Sequence, residues 1–210
     1  MTPLNLLKKV REYLARQRRK LEPIVNADGL GEFIDTRSSL VAQTSLYGYI
    51  KTRAGTRFPD LFENEEFLQS INIAKWQIWA ACVSDLAVFS GGLLYREMPD
   101  ADRIRQVLQQ AIDPLLARTA QPSEAGEDFS TALEKLKIRI AGAPFTDAAT
   151  SENAFTVSPD ALVYWAPIVD ELKSLDESIV RNSIRFRWQA PRRELREALQ
   201  PARVLDSLDN

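Results

Sequence analysis

The chain of 210 residues holds no histidine and a single cysteine, Cys82, with 45% hydrophobic residues, 27% charged residues and a formal net charge of −2. That length and balance describe a globular protein, expected as one domain, long enough to bury a full core. Lack of histidine excludes a Ser-His-Asp or Cys-His triad and a mixed zinc site, and one sulfur excludes a four-thiolate site or an internal disulfide.

Residues 3–21 read as a basic amphipathic helix, because Leu7, Leu14 and Leu21 fall seven apart, with Leu4 and Val10 on neighbouring turns. Pro23 and the Asp28-Gly29-Leu30-Gly31 stretch are expected to break the pattern. A second helix is expected from about Phe33 to Arg53, with Phe33, Leu40 and Tyr47 on one stripe and Ile34, Val41 and Ile50 beside it. The third, at about residues 65–90, is apolar nearly all round, so it belongs inside a bundle or inside a membrane. Gly91-Gly92 is expected to end it. Asp85 in its middle, with Gln77, Ser84 and Ser90, makes a bundle core the better reading.

Asp100 to Arg118 forms a fourth helix, with Ile104, Val107, Leu108, Ala111 and Leu115 facing inward, and Phe129 to Ile140 a shorter fifth. Residues 142–158 lack periodicity and read as a flexible loop. Ser158-Pro159-Asp160 then has the pattern of an N-cap and a first-turn proline. The helix it opens places Leu162, Trp165, Val169, Leu172, Leu175 and Ile179 inward, with a kink or restart at Pro167. A last short helix follows Pro191 up to Leu199, before a frayed tail. The expected architecture is an all-α bundle of about six to seven helices around the central apolar one.

The motifs of common catalytic sites are missing. Gly29 and Gly31 open a G-x-G with Ile34 at the third position and no strand before it, and no phosphate-binding loop, nucleophile elbow or S-x-x-K follows. Asp85 is the one acid in the apolar helix. Burial would raise its pKa and suit it to acid-base work, but a cation from another helix, such as Arg37, is the favoured explanation. The acid pairs Asp170-Glu171 and Asp176-Glu177 read as a solvated face, so no metal is expected, and no cofactor either.

Charge is unevenly spread. Residues 1–21 hold seven Lys or Arg against one acid, residues 181–203 seven Arg against two, and residues 97–177 fifteen acids against seven bases. The basic ends either brace the acidic middle or, for residues 3–21, meet an anionic membrane surface. Ile184-Arg185-Phe186-Arg187-Trp188 interleaves cations with apolar groups as single-strand nucleic-acid binders do, but the overall acidity makes a nucleic acid partner unlikely. The best candidate binding site is Tyr49, Lys51, Arg53 and Arg57 around the end of the second helix, where cations and loop amides would hold an anion.

Together these features point to a non-catalytic, protein-binding adaptor, assembly or regulatory factor in the cytoplasm, since Met1–Val10 lacks the apolar run of a secretory signal. Another protein is the expected partner. One alternative is a carboxylate-dependent hydrolase or lyase, with Asp85 as base and Arg53 or Arg57 gripping an anionic substrate. The other is a carrier of an apolar ligand between Ile78, Cys82 and Phe89. Exposed tryptophans, Trp165 or Trp188, would mark a partner surface, whereas Trp76 and Trp79 are expected in the core.

Overall fold

The computed structural model describes residues 21–119, 122–149 and 154–209, so the helix expected over 3–21 lies outside the described residues. What it describes is an all-α bundle around one long apolar helix. The first described helix, α1, spans Ala27–Ala54 and opens where the Asn26 side chain accepts from the Gly29 N–H at 2.9 Å. The glycines expected to break the chain therefore lie in its first turns. Gly31 has a packing reason: a Cβ there would stand 2.4 Å from the carbonyl oxygen of Ala111 on a neighbouring helix. Leu30, Ile34, Val41 and Ile50 form the buried face, while Leu40, expected inward, is 54% exposed.

After two short 3₁₀ turns, Asn64 caps the central helix α2, Glu65–Glu97, by accepting from the Phe67 N–H at 2.9 Å. The helix does not stop at Gly91-Gly92. Added Cβ atoms would meet the Phe145 ring and the Ala149 backbone nitrogen, both at 2.4 Å, so these glycines let another segment press against a continuing helix. By length and composition α2 is able to cross a membrane, yet 89% of its most apolar window is buried by the rest of the chain. It packs against α1 and against α3 (Ala101–Arg118), α4 (Phe129–Ala141), α5 (Phe145–Ala148) and α6 (Val157–Trp165).

Asp100 caps α3 by accepting from the Asp102 and Arg103 N–H groups at 3.1 Å, and the five expected inward residues are all buried. The stretch read as a flexible loop differs from that expectation. It contains α5 and buries Phe145, Ala148, Ala154 and Phe155, because the Gly91-Gly92 notch gives it a seat. Ser158 is no N-cap, since α6 already starts at Val157.

Pro167 marks a restart. α6 ends at Trp165, and α7, Asp170–Arg187, begins afresh after a short connection. The break resets the helical phase: Val180 and Ile184 point inward, whereas Val169, Leu175 and Ile179, all expected inward, are exposed. Helices α8 (Gln189–Ala198) and α9 (Pro201–Asp206) complete the described chain. The tail is not frayed, because Val204 and Leu205 are fully buried. A two-bond strap ties the ends: Ile24 N–H donates to the Ala198 carbonyl at 2.9 Å, and Gln200 N–H to the Ile24 carbonyl at 3.0 Å. All these elements share one contiguous hydrophobic core.

Candidate functional site

Three places gather the groups singled out from the sequence. At the first, Asp85 is 0% exposed, and its partner is Arg139 of α4 instead of Arg37, which pairs with Glu194 at 2.6 Å. The Asp85 carboxylate accepts from Arg139 Nη1 at 2.5 Å, from the Ser158 N–H at 2.8 Å and from the Val157 N–H at 3.2 Å. These two amides open α6 and have no carbonyl to bond within their own helix. Asp85 thus caps α6 from a different element. The same guanidinium donates to Ser84 Oγ at 3.0 Å and to the Ala154 carbonyl at 2.8 Å, so one cation ties α2, α4 and the approach to α6.

Burial pushes the Asp85 pKa up, and the Arg139 charge and the Ser158 bonds pull it back. A fully buried carboxylate that already accepts from three donors is a structural tie, with no face left for a substrate. Burial likewise drives the Cys82 thiol well above its ordinary pKa, which leaves it protonated and unreactive. Ile78, Cys82 and Phe89 are fully enclosed, with the Phe89 ring tilted 50° to that of Phe155 and the guanidinium groups of Arg192 and Arg196 over it.

At the second place, the structure brings Tyr49 and Arg53 together with an acid that the sequence did not suggest. The Arg53 guanidinium makes a two-pronged pair with Asp176 of α7. That bond holds the Asp176 carboxyl below the ordinary carboxylate range. Beside it, burial first and the Asp176 charge second push the Tyr49 hydroxyl up to about 12. Lys51 and Arg57 are exposed, with no ion-pair partner among the described residues. Of the four candidate residues, Arg53 is thus joined to α7, Tyr49 lies buried beside that pair, and Lys51 and Arg57 face solvent.

The third place was misread in the sequence. On α7, Leu175, Ile179 and Phe186 are 74%, 68% and 70% exposed. At 100° per residue they fall within a narrow sector, roughly opposite the buried Val180 and Ile184. With Asn182 they follow the 4-3-4 spacing of a helix-pairing seam. Arg53 grips α7 one residue beyond Leu175, and at the far end Phe186 shares a groove with the exposed Leu40 of α1. The basic-apolar run 184–188 is split: Ile184 and Trp188 point into the core, Trp188 donating to Ser158 Oγ at 3.0 Å, and only Phe186 stands out. Trp188 is therefore no partner surface, Trp79 is buried, and Trp76 and Trp165 are half-buried.

A cue to the row was present in the sequence. Leu175, Ile179 and Phe186 share one helical face, but it emerges only when Pro167 is read as a stop. No protein-family model, curated protein or solved structure matches the chain.

Proposed function

We propose that the protein is a non-catalytic, protein-binding adaptor or assembly factor of the cytoplasm, and that the exposed row on α7 is its recognition face. The supporting observation is that Leu175, Ile179 and Phe186 stand exposed in register on one helix face, whereas the other strongly exposed large apolar residues, Leu40, Ile138, Tyr164 and Val169, lie outside that helix and form no such row. Aromatic and aliphatic anchors of this kind supply most of the binding energy at helix-in-groove contacts. The partner is an amphipathic helix with its own apolar seam. Against the hydrolase or lyase alternative stands the enclosure of Asp85, which is fully buried and paired with Arg139.

The test is affinity purification from the native cell with the wild-type chain, an Ile179→Asp/Phe186→Asp variant, and an Ile138→Asp variant as a control on the exposed face of α4. A protein retained by the wild type and the control, lost by the double variant, and rebinding in purified form supports the reading. Equal retention by all three removes it. The excess of cations in residues 1–21 supports peripheral association with an anionic membrane as an accompanying proposal, tested by sedimentation with phosphatidylserine vesicles with and without that segment.

A further inference from the structure

The row on α7 calls for an amphipathic helix as its occupant, and α7 itself meets that description. Of its 18 residues only Val180 and Ile184 are buried. The helix therefore stands on a narrow footing, with most of its circumference open to an approaching molecule. Three features of the outward face fit a second copy of the same helix.

Spacing is the first. Leu175, Ile179, Asn182 and Phe186 are separated by four, three and four residues, an order that reads the same from either end. A two-fold axis between residues 180 and 181 sets two antiparallel copies of α7 in register. Leu175 of one copy then meets Phe186 of the other, and Ile179 meets Asn182. The second feature is size. At 100° per residue Ser178 and Ser183 flank the seam on either side close to that axis, and both are exposed. Side chains this small leave the two backbones free to approach at the centre.

Charge is the third. Residues 170–177 hold four acids and one lysine, and residues 181–187 hold three arginines and no acid. Some of these are engaged within the bundle: Asp176 pairs with Arg53, and Arg181 with Asp160 and Glu177. Glu171 near one end and Arg185 and Arg187 at the other are exposed, with no ion-pair partner among the described residues. An antiparallel copy brings the arginine end of one helix towards the acidic end of the other. A parallel copy would set like charges side by side.

We infer that the protein self-associates through this face, α7 pairing with α7 of a second copy in antiparallel register about a two-fold axis. The inference rests on the reading of the α7 row as a recognition face and names its occupant. Two seams of this length make a contact smaller than a permanent dimer interface, so monomer and dimer exchange in the micromolar range.

Sedimentation velocity of the full chain from about 5 to 500 µM should show a monomer passing into a dimer. Ile179→Asp should weaken the association at least about tenfold while the circular dichroism spectrum stays unchanged. Glu171→Arg should weaken it about threefold, and adding Arg185→Glu should restore it. Cross-linking reads the register independently, because the one native cysteine, Cys82, is buried and leaves an introduced thiol as the reactive one. Helix geometry places residue 178 of one copy about 3 Å along the axis from residue 185 of the other. Oxidation of an equal mixture of Ser178→Cys and Arg185→Cys chains should therefore give more mixed disulfide than the half expected by chance. A wild type that is monomeric over the whole range, association unaltered by Ile179→Asp, or mixed disulfide at or below half overturns the inference. A monomeric chain that still retains a different protein through α7 overturns self-pairing alone. One that retains none removes the recognition face as well.

Discussion

Asp85 and the α7 row both depart from the rule that polar groups lie outside and apolar groups inside, and they depart in opposite ways. The carboxylate is buried, but Arg139 and two helix-opening amides satisfy it, so the polar group serves the fold. The row is apolar, and nothing among the described residues covers it. Satisfaction separates the two cases. A buried charge with all its partners is architecture, whereas an exposed apolar seam without any is what the proposed recognition role rests on.

The sharpest way to break that contrast is Asp85→Ala. It leaves Arg139 without its carboxylate and α6 without its cap, and chemical denaturation should show a loss of about 3 kcal/mol, at the lower end for a buried pair because Arg139 reaches water. A loss below 1 kcal/mol would show that the tie is incidental. Next comes Gly31→Ala, whose added methyl would meet the Ala111 carbonyl oxygen at 2.4 Å and force α1 and α3 apart. A destabilisation of about 1–3 kcal/mol is expected in the same assay.

On the outer side of the comparison, Ile179→Asp/Phe186→Asp should shift stability by no more than about 0.5 kcal/mol per site while abolishing partner binding. If it unfolds the protein instead, the row belongs to the core. The last effect is confined to alkaline pH. A hydroxyl whose pKa rises from 10.0 to about 12 on folding holds its proton more tightly in the folded chain. The stability it contributes is complete below pH 10 and fades as pH climbs toward 12. Tyr49→Phe should therefore lose less stability than wild type across that interval, as followed by circular dichroism.

The parts legible in the sequence were those decided by one local signal. Helices α3 and α4 each carry a single amphipathic stripe and fall within a residue or two of expectation, and the uniform apolarity around Trp79 identified α2 as the axis of the bundle. The errors arose where tertiary contact overrides a local preference. Gly31, Gly91 and Gly92 were read as breakers, yet each is in a helix because a neighbour lies too close for a side chain. The same holds for the polar partners. That Asp85 needs a cation was readable from its burial, but the choice of Arg139 over Arg37 depends on how α4 lies along α2. Tyr49 and Arg53 could be singled out by their chemistry, whereas Asp176, the partner of Arg53, lies 123 positions away and carries no local mark. The α7 face was missed because one phase was carried through Pro167, and a helix restarted after a proline keeps no memory of the phase before it.

The strap between Ile24 and the Ala198–Gln200 backbone sets the two extremities of the fold side by side. A circularly permuted gene, with residues 21 and 209 joined by a short linker and new termini opened in the exposed turn at Ser123–Glu124, should therefore encode the same architecture.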